Sequence, residues 1–170
     1  MLDRIIARAA SLATGTQPAA VFGALGRHPR LFRAWLPFAG VLLLRGDLPR
    51  SDAELVVLRT AWNCRCRDEW QQHAGLARRA GLTAADIEAI RGDWCSPRWS
   101  PRQRCLLRAA DELHRDRVLG PETSATLDEL LTERQRIELY LLVGHYEMVA
   151  LLLSSAATGA VELSAEVPSD

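Results

Sequence analysis

The sequence contains no lysine, because all 21 of its basic residues are arginine. This absence excludes Schiff-base chemistry on a lysine amine, and it excludes a P-loop, which needs Gly-Lys-Ser/Thr to hold phosphates. The chain also has no net charge, since 21 acidic residues balance the arginines. A neutral chain has no long-range field to attract a polyanion, so we expect no nucleic-acid partner.

Long hydrophobic runs are missing as well. The longest, such as 41–44 and 148–153, are far shorter than the roughly 18 apolar residues that indicate a transmembrane helix. We therefore expect no membrane partner. The chain begins Met-Leu-Asp-Arg, with polar residues interleaved where a signal peptide has a basic start and an apolar core. This start predicts a cytoplasmic protein.

The cysteines do not form a recognisable framework. In a protein without an export signal, the four cysteines are interpreted as thiols rather than disulfides. Cys64-Arg65-Cys66 is not a Cys-x-x-Cys zinc half-site, and no second pair accompanies it. We therefore expect neither a metal ion nor a cofactor.

What the sequence does contain is helical periodicity. Its 170 residues and 48% hydrophobic content suit one domain with one core. Apolar residues recur at i, i+3 and i+4, and no alternating segment competes as a strand. We predict an all-α, single-domain bundle of about seven or eight helices. Its divisions are an N-terminal helical arm over 1–27, a helical domain over 28–160 and a tail over 161–170.

Three details of this helical pattern can be tested. The stretch 2–12 predicts an amphipathic helix that packs as a lid or an oligomer contact. A helix from Pro29 to Leu44 is apolar on most sides, which is typical of a central helix. Ser51 or Asp52 is expected to cap the next helix.

The most informative segment runs from Glu54 to His73. After a break at 63–66, Cys66, Glu69, Trp70 and His73 follow at i, i+3, i+4 and i+7, so all four are predicted to project from one helix face. A solvated face seldom carries cysteine and tryptophan, and a core face seldom carries a carboxylate beside an imidazole. This combination indicates a functional site.

Each group in the segment suits a particular chemical role. Cys66 lies at a helix start, where N–H groups and the helix dipole favour a thiolate. Glu69 and His73, four residues apart, can hydrogen-bond as an acid–base pair near neutral pH. Trp70 is interpreted as a core residue more readily than as a substrate contact. Glu54 is alternatively the partner of Arg59 or Arg50 in a buried ion pair.

Glu-Leu-x-x-Leu followed by Cys-x-x-Glu-Trp-x-x-His resembles the core of the carboxymuconolactone decarboxylase-like family, and the likeness extends over residues 30–155. Arg50 stands one residue nearer the chain start than the arginine expected ahead of this glutamate. The sister alkylhydroperoxidase-D enzymes have a redox Cys-x-x-Cys-x-x-x-His with a preceding glutamate. Here Glu54, Cys66 and His73 match that pattern, but Glu69 replaces the second cysteine.

The resemblance implies a helical bundle of the alkylhydroperoxidase-D-like type, a small organic substrate, and a homo-oligomer, often a trimer or hexamer. It places the site at Glu54, Cys66, Glu69 and His73. Because the second redox cysteine is missing, our leading hypothesis is a lyase or isomerase in which Glu69 and His73 exchange protons with a small carbonyl or carboxylate substrate. Glu54 would orient His73 or act as a second acid.

Three alternatives remain open at this stage. Cys66 can support thiol-dependent reduction of alkyl hydroperoxides, as in peroxiredoxins. The motif residues can instead be structural, in a non-catalytic binding or assembly protein. Cys66, Glu69 and His73 also offer three kinds of metal ligand.

Further along the chain, two other histidines stand on largely apolar helices. His114 and His145 are expected to be core residues with their hydrogen bonds satisfied. Tyr140, His145 and Tyr146 alternatively line a pocket from the last helix.

Overall fold

The computed structural model of the chain describes residues 20–158, with side chains to residue 156. This range forms eight helices and contains no strand, which confirms the predicted all-α class. The helices are α1 (Ala20–Leu25), α2 (Pro29–Leu44), α3 (Arg50–Asn63), α4 (Arg67–Arg79), α5 (Ala84–Ala89), α6 (Pro101–Asp116), α7 (Pro121–Leu130) and α8 (Glu133–Thr158).

Helix starts follow the sequence signals closely. Prolines occupy the first turn of α2, α6 and α7, where their missing N–H is no loss. Thr83 and Ser100 cap α5 and α6 with complete capping boxes. The predicted cap of α3 is wrong, however. The helix begins at Arg50 behind Pro49, without a side-chain cap, and the Asp52 carboxylate instead accepts a 2.6 Å hydrogen bond from Arg102 Nε.

Helix α3 forms the centre of the fold. It packs against α4, α6 and α8, and every residue from position 52 to 61 is buried. Each neighbour contributes buried apolar residues, such as Ala77 on α4, Leu106 on α6 and Leu139 on α8. The core therefore surrounds α3 on all sides.

The prediction that α2 is the central helix is wrong. Only Phe32 and Leu42 of α2 are buried, whereas Leu31, Val41 and Leu44 are more than half exposed. Helix α2 is a peripheral helix that contacts α1 and α8. Its all-round hydrophobicity thus leaves an apolar face on the surface of the described chain.

The central helix carries charged residues that are all paired. Arg59 makes a two-point ion pair with Asp111 on α6 at 2.6 and 2.7 Å, and its Nη1 donates to the carbonyl of Ile90 at 2.5 Å. Burying a charge is costly unless a partner and hydrogen bonds compensate it. These contacts allow a helix with buried charges to occupy the middle of the fold.

Parts of the predicted layout lie outside the described residues. The predicted helix over 2–12 and the tail over 161–170 belong to these parts. Of the predicted arm, α1 is described, and it packs against α8. By length and composition alone, the segment Glu133–Ala156 of α8 could cross a membrane, with 50% of its most apolar window buried in the protein. This window is longer than the uninterrupted apolar runs described above, because it is allowed to contain up to two charged residues.

Candidate active site

A sharp corner between α3 and α4 positions the residues of the predicted site. Cys64 is the C-cap of α3, Arg65 adopts a left-handed conformation with φ of 53°, and Cys66 is the N-cap of α4. The chain therefore reverses direction, and α4 packs back along α3. This reversal brings Glu54 on α3 into contact with His73 on α4.

His73 lies between two glutamates in the interior. Its Nδ1 donates a 2.8 Å hydrogen bond to Glu54 Oε2, and its Nε2 faces Glu69 Oε2 at the longer distance of 3.5 Å. All three side chains are at most 4% exposed. Glu54 also pairs with Arg50, one turn earlier on α3. The structure thus brings Glu54, Glu69 and His73 together as the sequence predicted, and Arg50 supplies an arginine next to the glutamate.

The two carboxylates change the protonation of His73. Burial alone would lower the pKa of the imidazole, but the charges and hydrogen bonds of Glu54 and Glu69 outweigh burial and raise that pKa from 6.5 to about 9. His73 is therefore a cation at neutral pH. With both ring nitrogens protonated, Nδ1 is held firmly by Glu54, while Nε2 makes only a long contact.

Cys66 differs from its predicted state. It is buried at the N-terminus of α4, where the backbone N–H of Glu69 favours the thiolate, but desolvation is the larger effect and raises the pKa of the thiol. The charge of the Glu69 carboxylate raises it further. The expected thiolate at a helix start is thus disfavoured, because burial exceeds the contribution of the helix end.

Trp70 does not share the face of the other three residues. Its ring lies 5.9 Å from that of Trp62, and the guanidinium of Arg91 covers it at 4.8 Å from the ring centroid. Helix α4 begins at Arg67, so the face predicted from Cys66 onward is interrupted at the corner. The interpretation of Trp70 as a packing residue agrees with these contacts.

Helix α8 contributes two aromatic residues to the site. Tyr146 packs edge-on against His73, with 4.8 Å between ring centroids, and its other edge contact is His145 at 5.1 Å. Burial and the nearby carboxylates raise the Tyr146 pKa well above its usual value. The sequence analysis gave Tyr146 only as an alternative pocket residue. Because Tyr146 lies 73 positions after His73, no local spacing predicted their contact.

His145 is buried, but its hydrogen bonds are not satisfied as expected. Its Nδ1 is buried and has no hydrogen-bond partner among the described residues, and the same is true of Nε1 of Trp35, on which the imidazole stacks at 5.6 Å. Burial lowers the pKa of His145 to about 4, so the ring is neutral. Two polar atoms without a partner in the described part of the chain therefore lie on adjacent rings beside the His73 site.

These aromatic rings form a row from the surface to His73. Phe38, which is 41% exposed, contacts the edge of His145, and His145 contacts Tyr146 in turn. The row lies between α2 and α8.

His114 was also expected to be a satisfied core residue, and this is wrong. Its side chain is one-third exposed and its Nδ1 pairs with Glu147 at 2.8 Å. Tyr140 is likewise partly exposed and its hydroxyl contacts Arg136. Neither residue belongs to the site around His73.

The site around His73 is not arranged to hold a metal ion. Both ring nitrogens of His73 face carboxylates, and the Cys66 sulfur does not converge with Glu69 and His73 on a common point. In the part of the chain that the structure describes, the only cluster of three or more possible ligands is Cys64, His114 and Glu147.

The fold and the buried carboxylate–imidazole–carboxylate site define an all-helical protein of the kind that the motif predicted. Residues 29–112, about half of the chain, match the Carboxymuconolactone decarboxylase family, which confirms the resemblance seen in the motif. The match covers the four predicted site residues and ends within α6, so α8 lies beyond it. No curated protein sequence matches the chain. This match supports an activity of the general carboxymuconolactone decarboxylase or alkylhydroperoxidase-D type.

Proposed function

We propose that the protein is an acid–base enzyme of the lyase or isomerase type, acting on a small carbonyl or carboxylate substrate. The observation that carries this proposal is the asymmetric contact of His73, held at 2.8 Å by Glu54 on one side and at 3.5 Å from Glu69 on the other. A good hydrogen bond of this kind measures about 2.7–3.2 Å. The proton on Nε2 is therefore the less firmly held of the two.

The roles follow from this asymmetry. Glu54, itself paired with Arg50, is a positioning residue that fixes the orientation of the imidazole. A substrate atom that enters between Glu69 and Nε2 meets an acid and a base together. Glu69 accepts a proton from a carbon next to the carbonyl, and the Nε2–H of His73 donates to the carbonyl oxygen as its charge develops. Return of the proton at another position gives isomerisation. In a decarboxylation, loss of CO₂ from a substrate carboxylate takes the place of the proton abstraction, and the enolate that forms then takes up a proton at carbon.

The rings beside His73 support a small polar substrate. The Trp35 Nε1–H can only donate, and the neutral His145 Nδ1 can donate or accept, yet neither has a partner among the described residues. A buried polar group without a partner costs free energy, which a ligand oxygen would recover. Aromatic faces with a few such donors are typical of small-molecule sites.

The redox alternative has weaker support. A peroxidatic cysteine reacts as the thiolate, and burial raises the pKa of Cys66. A non-catalytic role is supported by the close packing of Tyr146 on His73. Against it, a buried ion pair gives little net stability, so a cationic imidazole between two carboxylates is an expensive way to fill a core.

Proton exchange in D₂O tests the proposal without a known substrate. A panel of small keto acids, lactones and unsaturated carboxylates is incubated with the protein, and ¹H NMR follows the loss of signal from carbons next to the carbonyl. We expect exchange in at least one compound, and we expect Glu69→Gln and His73→Ala to slow it by about 100-fold or more, because each removes a proton-transfer group.

Glu129→Gln is the matched control, since Glu129 is an exposed carboxylate on α7. It should exchange at the wild-type rate. The proposal is wrong if no compound exchanges with the wild-type protein, or if Glu69→Gln and His73→Ala retain full rates. Oxidation of Cys66 by excess hydroperoxide, mapped by mass spectrometry, would favour the redox alternative instead.

A further inference from the structure

A second cluster of reactive side chains lies on the far side of the corner between α3 and α4. Cys64 at the end of α3, His114 on α6 and Glu147 on α8 direct one ligand atom each to a common point. These three atoms all lie within 4.8 Å of one another. The Cys64 Sγ is 3.9 Å from His114 Nδ1, which is 2.8 Å from Glu147 Oε1.

This arrangement differs from a thiol–imidazole–carboxylate relay. In a relay the carboxylate holds one ring nitrogen and the nucleophile uses the other. Here the sulfur and the carboxylate oxygen both face the same nitrogen, Nδ1 of His114. One nitrogen carries at most one hydrogen, so it cannot serve both neighbours well. Three possible ligand atoms that surround one point are instead typical of a metal coordination site.

The distances suit a tetrahedral zinc ion with small adjustments. Zinc binds sulfur at about 2.3 Å and nitrogen or oxygen at about 2.0–2.1 Å. Tetrahedral angles then place sulfur and nitrogen about 3.6 Å apart, and nitrogen and oxygen about 3.3 Å apart. The present separations of 3.9 and 2.8 Å differ from these by about half an ångström or less. Rotation of the partly exposed side chains covers such a difference.

The surroundings leave the carboxylate free to act as a ligand. Glu147 uses its other oxygen, Oε2, to pair with Arg117, so Oε1 remains directed at His114. The guanidinium orients the carboxylate, as a hydrogen-bonded partner does for many metal ligands. All three candidate ligands are partly exposed, which leaves room for water at a fourth position.

We propose that Cys64, His114 and Glu147 bind a divalent transition-metal ion of the zinc type, with water as the fourth ligand. A soft sulfur, an imidazole and a carboxylate together suit zinc better than magnesium or calcium, which prefer oxygen alone. On binding, the Cys64 thiol forms the sulfur–metal bond and its proton passes to solvent. No electron transfer is involved.

The ion would join three parts of the fold that surround the acid–base site. Cys64 precedes the corner that orients α4, and Glu147 follows Tyr146, which packs on His73. A metal bridge between the end of α3, α6 and α8 would therefore stabilise the frame of that site without touching its substrate. Cys64 and His114 lie 50 residues apart along the chain, and His114 and Glu147 lie 33 residues apart. The sequence therefore contains no short spacing that would indicate this site.

The test uses the full-length protein after removal of metal by a chelator. Zn²⁺ is titrated by calorimetry, and Co²⁺ is added in parallel because thiolate ligation gives an intense near-ultraviolet absorption. We expect one ion per chain and a thiolate band with cobalt. Cys64→Ser, His114→Gln and Glu147→Gln should each weaken zinc binding at least about tenfold, as each removes a ligand.

Cys95→Ser is the matched control, because Cys95 is an exposed thiol outside the cluster. It should bind zinc as the wild-type protein does. A second measurement needs no variant: saturating Zn²⁺ should protect Cys64, but not Cys95, from alkylation mapped by mass spectrometry. Absence of this protection, absence of the cobalt–thiolate band, or wild-type affinity in Cys64→Ser would overturn the proposal.

Discussion

At the scale of single residues, the surroundings of His73 change the protonation of its imidazole. Because the pKa of His73 is higher in the folded protein than in the unfolded chain, its protonation also stabilises the fold. The folded protein keeps a proton on the imidazole up to about pH 9, whereas the unfolded chain releases it near 6.5. The stabilisation is complete below pH 6.5 and is lost as the pH rises through about 9.

We predict that the free energy of unfolding falls by on the order of 3 kcal/mol between pH 6.5 and 9 because of His73, since each pKa unit corresponds to about 1.4 kcal/mol. Urea denaturation across this range measures the slope. His73→Gln should flatten it. An equally steep fall in His73→Gln would show that other groups cause the loss.

The sequence was a good guide to these residues where they are near one another on the chain. Glu69 and His73 are one helical turn apart, and their contact follows from helix geometry alone. The state of Cys66 was less predictable, because it depends on how many atoms of α1 and α8 cover the thiol. The contacts of His145 and Tyr146 depend on tertiary packing in the same way.

At the scale of helices, the positions of α2 and α3 were harder to predict than their boundaries. Proline and capping residues marked the starts of α2, α5 and α6 correctly. Hydrophobicity, however, indicated α2 as the central helix, whereas α3 with Asp52, Glu54 and Arg59 occupies the centre. Ion pairs to distant helices make this possible, and periodicity in one segment cannot reveal such partners.

The turn between α2 and α3 offers a prediction about glycine. A Cβ on Gly46 would lie 2.6 Å from the Cδ of Glu138. That carboxylate cannot swing away freely, because its Oε2 accepts hydrogen bonds from the backbone N–H groups of Asp47 and Leu48 at 2.5 and 3.0 Å. We expect Gly46→Ala to destabilise the protein by about 1–3 kcal/mol in urea denaturation.

Gly23→Ala is the control for this effect. Gly23 is an exposed position within α1, and its added Cβ meets nothing within 4 Å. Alanine favours the helix by up to about 1 kcal/mol, so this variant should be as stable as the wild type or more stable. A loss in both variants would mean that the effect at Gly46 does not come from Glu138.

At the scale of the whole molecule, the exposed apolar surface is the main unexplained feature. Four exposed residues of α8, with Gly144 between them, follow a four–three spacing that is typical of a helix-packing seam. Next to them, Val41 of α2 borders a cavity of about 240 Å³. The four residues of this α8 stripe are Ile137, Leu141, Met148 and Leu151.

We expect a second copy of the chain to cover the α8 stripe, in line with the trimer or hexamer that the resemblance implies. Light scattering after size exclusion should give a multiple of the 18.8 kDa chain mass. Leu141→Glu places a charge in the stripe and should shift the protein toward the monomer, while Glu129→Gln should not. A monomeric wild type, or an assembly unchanged by Leu141→Glu, would contradict this expectation.

The turn at Arg65 sets the angle between helices α3 and α4. Glu54 lies 10 positions before Cys64, which at about 1.5 Å per residue is a length of about 15 Å. A rotation of only about 5° at this turn would displace the far end by more than about 1 Å, enough to break the hydrogen bond between Glu54 and His73. The backbone conformation of Arg65, an exposed residue, thus determines the distance between two buried side chains that lie two to three helical turns away.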